Sequence, residues 1–263
     1  MINIIDADHA IYYCGCSSEV EEAYYSVGTS TRFNYKKGAV EYCLQNDIDL
    51  DEIKREKELL DADAVYPLID KYFRRIFKET GISEYIAYYG EGTTFRHNII
   101  PDYKANRDSS SKPLLYDTIK MYLADVWECQ KVVDIETDDQ VLITYNERGC
   151  EDIIVSVDKD LDQQAGIHYS PLSGMYEVDE WEGLLNLYKQ IIQGDSSDNI
   201  QGLHGFGPAK SAKALVNCTT EKELWDTVVA LYEKKNKKVE DANITAQLVY
   251  LLRSKDDKWQ PPT

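Results

Sequence analysis

The chain has 263 residues, 43% of them hydrophobic, enough to bury one large core or two small ones. A formal net charge of −18 argues against a protein that holds nucleic acid by overall charge, and no apolar run is long enough to cross a bilayer. Six scattered cysteines, none in a C-x-x-C pair, read as buried reduced thiols, and Cys14 and Cys16 beside His9 lack a fourth ligand for zinc.

The opening MINIIDADH has no basic segment and meets an acid at Asp6. Residues 2–6 therefore read as a buried strand, not a signal peptide, and the expected compartment is the cytosol of a bacterium or of a cell hosting a phage. Residues 38–60 are polar and predict a helix. In 64–80 the positions Val65, Leu68, Ile69, Tyr72, Phe73, Ile76 and Phe77 follow helical spacing, with Gly81 as the cap. YIAYYG (85–90) predicts the next strand. Residues 96–112 are polar and basic and read as a loop. Leu115, Ile119, Tyr122, Leu123 and Val126 mark a helix, KVVDI (131–135) a strand, 136–149 a helix and DIIVSV (152–157) a strand. After residue 180 the pattern is helical, at 180–193, 208–217, 221–233 and 242–253. Strands alternating with helices predict an α/β fold with a mostly parallel central sheet flanked by helices, and a helical C-terminal third.

The acids fall where those strands end. Asp6 closes the first, Glu91 follows the second, Glu136, Asp138 and Asp139 follow the third, and Asp158 and Asp160 the fourth. In an open parallel sheet the C-terminal strand ends share one edge, where ligands bind. Asp195 and Asp198 join from the helical third. Any one such acid is ordinarily a helix cap, which is the reading for Asp8 and Asp134, and Asp138 or Asp139 can cap its own helix. As a set, packed carboxylates raise one another's pKa and oppose folding unless cations neutralise them. An all-oxygen donor set points to two Mg²⁺ ions, with Mn²⁺ as a substitute.

Basic residues follow on the same rim. Arg96, Lys104, Arg107 and Lys112 come after Glu91, and Lys104 and Arg107 share a face if the segment is helical. The stretch GLHGFGPAKSAKAL carries Gly202, Gly205 and Gly207, a proline at a first helical position, and Lys210 and Lys213. It is a helix-hairpin-helix candidate suited to a backbone phosphate.

IIDAD, FRHNIIPDYKANR, ETDDQV, VSVDKDLDQ and QGDSSDNIQGLHGFGPAKSAKAL, taken together and in this order, resemble the 5′-nuclease superfamily of flap endonucleases and 5′→3′ exonucleases, most of all its compact bacteriophage members. The resemblance implies an α/β core over residues 1–180 with a helical arch at about 96–130, and a helical subdomain over 181–263 with the helix-hairpin-helix at about 190–217. It places metal ligands at Asp6, Glu91, Glu136, Asp138, Asp139, Asp158, Asp160, Asp195 and Asp198, and catalytic cations at Lys104 and Arg107. DNA contacts fall at Arg96, Tyr103 (stacked on a base), Lys112, Gly202, Gly205, Gly207, Lys210 and Lys213. A K⁺ held by backbone carbonyls is implied at the glycine turn. GEGTTFR departs from the family's longer, Asp-bearing loop, which singles out Glu91 among the ligands.

The implied activity is metal-dependent 5′→3′ exonuclease and 5′ flap endonuclease cleavage of DNA by a two-metal mechanism, in phage replication, recombination or primer removal. The expected partner is DNA with a free 5′ end, with RNA in RNA–DNA hybrids as a further substrate and no membrane; a monomer is the default. A PIN-type ribonuclease shares the acidic rim but lacks the 193–215 block, and a non-catalytic DNA-binding protein would not need every acid.

Overall fold

The computed structural model describes residues 1–19, 24–28, 31–56, 62–107 and 112–263. In chain order its elements begin with β1 (Asn3–Asp6), α1 (Asp8–Ser18), β2 (Tyr24–Val27), β3 (Thr31–Phe33), α2 (Lys36–Asn46), β4 (Ile53–Glu56) and α3 (Val65–Thr80). There follow β5 (Tyr85–Thr94), α4 (Arg96–Ile99), α5 (Tyr116–Asp125), β6 (Gln130–Asp134), α6 (Thr137–Glu147), β7 (Ile153–Val155), β8 (Gly166–Ser170) and β9 (Gly174–Val178). The last are α7 (Glu180–Gln193), β10 (Gly194–Asp195), β11 (Ile200–Gln201), α8 (Pro208–Leu215), α9 (Glu221–Lys234) and α10 (Val239–Val249).

The chain divides into two compact units, residues 1–9, 75–111 and 124–263 in one and 10–74 and 112–123 in the other. The division does not follow the expected boundary at residue 180, because the C-terminal helices belong to the same unit as the sheet. That sheet has the order β6-β5-β1-β7-β8-β9, parallel except for β9. β1 lies near its middle, with Ile4 opposite Ile86 and Ile154. Every residue of β1 and β7 is buried, which is why both read as unbroken apolar runs. Val141, Leu142 and Tyr145 of α6 pack on one core with Ile4, Tyr88 and Ile154.

The hairpin β8–β9 was not foreseen, although GIHYSPLSGMYEV holds a Ser-Pro step and a glycine of φ +86° at its turn. β5 runs four residues past its predicted end, with a register shift against β6 between Gly90 and Thr94. α10 stops at Val249, not 253. Residues 250–252 leave the helix so that the backbone N–H of Leu252 can donate to the Asp139 carboxylate at 3.0 Å. A second core, with Leu187, Ile191, Leu224, Val228, Tyr232 and Ala246, joins α7, α9 and α10.

In the other unit the strands β3-β2-β4 form an antiparallel sheet, and α2 packs on it through Ala39 and Cys43 against Val27. The helix expected over 38–60 ends at Asn46, with Asp47 left-handed at φ 54°. Ile53–Glu56 is a strand, and residues 57–61 lie outside the described residues. Of the arch expected at about 96–130, residues 96–107 form α4 and a series of turns. The serine run at 109–111 lies outside the described residues.

Candidate active site

The carboxylates of three strand ends and one loop influence one another at the C-terminal edge of the sheet. Asp6 ends β1 and is 5% exposed; it accepts from the Ser156 hydroxyl at 2.9 Å and the Asp8 backbone N–H at 3.0 Å. Burial, then the charge of Asp8, pushes its pKa up to about 7 against these two hydrogen bonds. Asp138, in the first turn of α6, is raised by burial and then by Asp6, Asp158, Glu136 and Asp160. Asp158 follows β7 and accepts from the Asp160 N–H at 2.9 Å; burial, then Asp198 and Asp195, raises it while Lys104 lowers it. Asp160 is pushed up to about 7 by burial, then by Asp158, Asp195, Asp198 and Glu136. Gln190 of α7 donates to it.

Two loops bring cations and the last acids to this edge. Asn106 donates to the Ser196 carbonyl at 2.7 Å, Asn199 to the Asp102 carbonyl at 2.8 Å, and the Lys104 N–H to the Asp198 carbonyl at 3.0 Å. YKANR and GDSSDN are thus pinned to each other. Lys104 Nζ pairs with Glu136 and lies 3.5 Å from Asp198, and Arg107 pairs with Asp198. Asp195 accepts from the Ser197 N–H at 2.7 Å.

Among the described residues no three acidic, imidazole or thiol groups enclose a single point tightly enough to define an ion site. The donor chemistry nevertheless fits hard divalent ions. Asp6, Asp138, Asp158 and Asp160 offer only oxygen, and burial first, with neighbouring carboxylates after it, raises their pKa values.

Several expected site residues have other work. Arg96 is 1% exposed; its guanidinium holds Asp139 at 2.6 and 3.0 Å and the carbonyls of Leu248 and Tyr250, each at 2.8 Å. Burial opposes its charge, but Asp139 outweighs that and raises the pKa. It is an internal strut and does not reach DNA. Asp139, fully buried, spends its oxygens on Arg96, the Leu252 N–H and the Glu136 N–H, so it is no metal ligand. Tyr103 is 3% exposed and cannot stack on a base. Its phenol oxygen lies 3.0 Å from Glu136 and 2.9 Å from Asp198, which share its one proton; burial and then these carboxylates raise its pKa and keep it a donor. Glu91 is exposed on the extension of β5 and pairs with Lys131 at 3.1 Å.

Asp8 does not cap α1; it accepts from the Gly90 N–H at 2.9 Å and the Thr137 hydroxyl at 2.6 Å, tying β5 and α6 to the end of β1. Asp134 is left-handed at φ 67° and ends β6, while Glu136 is the capping residue of α6. Lys112 falls in the other unit, its ammonium 4.8 Å above the Tyr116 ring. Ser156, Thr137, Gln190, Asn106 and Asn199 were missed, since their types carry no signal until their partners are known.

The glycine turn lies between α7 and α8. A Cβ on Gly202 would stand 2.0 Å from the Gln193 carbonyl carbon, so this glycine serves the close approach of β10 and β11. Gly205 has φ +82°, Gly207 caps α8 at an open position, and Lys210 and Lys213 are exposed. Lys210 Nζ donates to the Gly205 carbonyl at 2.8 Å, so the K⁺ expected here meets an oxygen already taken by an ammonium.

No family model matches the chain. It is 27% identical over 177 residues to DNA polymerase I of Bacillus caldotenax, across 59% of this chain and 20% of that protein, so it spans only a fifth of that relative's length. It is 27% identical over 186 residues to flap endonuclease Xni of Shewanella sp. (strain W3-18-1), across 64% of this chain and 70% of that one. Among solved structures, the T5 5′-exonuclease with bound zinc superposes with a TM-score of 0.56 at 19% identity, covering 68% of this chain and 79% of that one. A bacteriophage T5 flap endonuclease in a pseudo-enzyme–product complex with DNA and metal ions gives 0.55 at 19% identity, covering 70% and 79%.

Proposed function

We propose, from the premise that the chain belongs to the 5′-nuclease superfamily, that it is a metal-dependent 5′→3′ exonuclease and 5′ flap endonuclease acting on DNA. The observation that carries this reading is the meeting of Asp6, Asp138, Asp158 and Asp160, all with raised pKa, beside Lys104 and Arg107 on two interlocked loops.

Asp6, Asp138, Asp158 and Asp160, with Asp195, Asp198 and Glu136 around them, would hold divalent ions. Bound there, two Mg²⁺ ions supply the usual chemistry of phosphodiester hydrolysis, an acidified water and neutralised phosphate oxygens. The chain's own groups do the rest. Ser156 and the Asp8 N–H orient Asp6, and Gln190 orients Asp160. Tyr103 sets the angle of Glu136 and Asp198. Lys104 and Arg107, held at this edge by Glu136 and Asp198, would face the scissile phosphate and offset its growing charge. The exposed turn at 205–207, with Lys210 and Lys213, suits the backbone of the duplex beyond the cut, as a helix-hairpin-helix does. A K⁺ held by the backbone carbonyls of this turn would compete with the Lys210 ammonium for the Gly205 carbonyl.

The substrate is DNA with a free 5′ end, and the setting is phage replication, recombination or primer removal in the cytosol by a monomer. The test is cleavage of 5′-labelled flap, nicked duplex, single-stranded DNA and an RNA–DNA hybrid, each with Mg²⁺, with Mn²⁺ and with EDTA. Cleavage of the flap in Mg²⁺ alone supports the reading. Turnover that survives EDTA, or cleavage confined to RNA, overturns it.

A further inference from the structure

The second unit carries a cationic, aromatic surface that the reaction above does not use. Residues 32–37 read Arg-Phe-Asn-Tyr-Lys-Lys, three cations and two aromatic rings with no acid, in a chain of net charge −18. The segment runs from the end of β3 into the first turn of α2. Phe33 faces inward, its ring 5.3 Å from that of Tyr42 on the side where α2 packs. Tyr35 faces outward and is 78% exposed, although a tyrosine ring has much apolar area to hide. Arg32, Phe33, Asn34, Tyr35, Lys37 and Glu41 line an open hollow of about 620 Å³, within the range of small-ligand sites.

The strand register extends this surface. Tyr25, Val27, Phe33 and Ile53 pack toward α2. Alternation therefore puts Tyr24, Arg32 and Lys54 on the opposite face, where Ser26 of the central strand pairs with Arg32 on one side and Lys54 on the other. Arg32 lies 4.2 Å over the Tyr24 ring, and Arg32 and Lys54 are exposed. Among the described residues, two acids lie on or beside this surface. Glu41 is in a loose, solvent-exposed pair with Lys37 at 3.9 Å, and Glu56 accepts from Ser26 at 3.1 Å. Asp47, Asp49, Asp51 and Glu52 lie beyond the other end of α2.

We propose that this face, centred on Tyr35 with Arg32, Lys36 and Lys37, binds single-stranded nucleic acid, the rings stacking on bases and the cations following phosphates. A duplex hides the faces of its bases and would leave the exposed ring without a partner; a single strand presents both bases and phosphates. The proposal deepens the reading of a flap nuclease, whose substrate includes a free single-stranded arm, and it rests on that reading for its biological use though not for its measurement.

The experiment measures binding of labelled oligo(dT) and oligo(rU) to the full chain in EDTA, by fluorescence anisotropy across a salt series, for the wild type, Tyr35→Ala, Tyr35→Phe and the pair Lys36→Ala with Lys37→Ala. Tyr35→Ala should bind about tenfold more weakly and Tyr35→Phe like the wild type. The lysine pair should flatten the salt dependence by about 1.4 units in log–log slope, two single-strand phosphate contacts. All variants should keep the wild-type melting temperature and bind blunt duplex unchanged. Wild-type affinity for both probes in Tyr35→Ala and in the lysine variant overturns the proposal, as does an equal loss on blunt duplex. A protein that cleaves no DNA yet shows the Tyr35-dependent binding removes the nuclease reading and leaves this one standing.

Discussion

The Tyr103 hydroxyl lies 2.9 Å from Asp198 and 3.0 Å from Glu136, so the single proton of one buried phenol is shared between the two carboxylates that also hold Lys104. The ring is anchored in the helical core beside Leu187 and Ile191, so its position is fixed from behind. The hydroxyl is a neutral group that orders acids without adding charge.

Tyr103→Phe keeps the ring and removes only that bridge. A hydrogen bond to a charged group is worth about 1.5 kcal/mol or more, roughly tenfold in an equilibrium constant. The variant is expected to fold with a near-normal melting temperature and to lose about tenfold in flap cleavage at limiting Mg²⁺, with less loss at saturation. A Mg²⁺ titration of single-turnover rates checks this; a wild-type titration curve would reduce Tyr103 to a core residue.

Arg96 tests stability in place of DNA contact. Removing its guanidinium leaves the buried Asp139 carboxylate and the Leu248 and Tyr250 carbonyls without their donors. Breaking one side of a buried pair typically costs about 3–5 kcal/mol. Arg96→Ala should melt far earlier than the wild type. Asp139→Asn should also be destabilised, because an amide offers one acceptor where the carboxylate serves Arg96 with two. Calorimetry or circular dichroism decides. A stable Arg96→Ala protein with weakened DNA binding would restore Arg96 to the substrate surface.

The acidic edge was legible because β1, β5, β6 and β7 announce themselves as apolar runs, and in a parallel sheet the residue after each run must fall on one rim. That rule places Asp6, Asp138, Asp158 and Asp160 on the rim, but it places Glu91 and Asp139 there too, and the structure pairs those with Lys131 and Arg96. What sequence could not supply was direction. Arg96 and Asp139 are 43 positions apart and look like surface charges until α4 and α6 are packed together. Tyr103 sits in a basic stretch that reads as a substrate surface, and only the core behind it shows that its ring points inward. The strand β4 was lost inside a polar segment because IKRE pairs apolar and charged residues much as an exposed helix does, and its partner β2 was unknown.

The acids make a pH prediction whose sign is fixed. Asp6 and Asp160 rise from an ordinary 3.8 to about 7 in the folded protein, so between those values the folded state binds more protons than the unfolded one. Stability of the metal-free protein from these groups therefore falls as pH rises from about 4 to 7 and stays low above it, by an amount on the order of a few kcal/mol. On the proposed reading divalent ions would bind the ionised folded form, so they should raise the melting temperature more at pH 8 than at pH 5. Asp158→Asn with Asp160→Asn should raise the metal-free melting temperature at pH 8, flatten the pH dependence and abolish cleavage. Melting curves with EDTA and with Mg²⁺ at both pH values read this out. A metal-independent melting temperature at pH 8 would remove the edge from consideration as an ion site.

Lys104 has the most to separate. Its ammonium is held by Glu136, with Asp198 3.5 Å away, while its backbone N–H anchors the Asp198 carbonyl. Lys104→Ala removes the charge and keeps the backbone bond, so the interlocked loops should stay in place. If the ammonium faces the scissile phosphate, it stabilises charge that grows only in the transition state. Losing such a group costs about 10²–10³-fold in rate. Affinity for flap DNA should change far less, because contacts along the duplex remain. Arg107→Ala should behave in the same way, and Arg107→Lys should recover only part of the rate, since a point charge does not replace a planar fork. The measurement is single-turnover flap cleavage in Mg²⁺ at saturating enzyme beside the dissociation constant in Ca²⁺. A Lys104→Ala protein that cleaves at the wild-type rate but binds more weakly would make Lys104 a tether for the DNA. Equal losses in melting temperature and rate would make it a brace for Glu136.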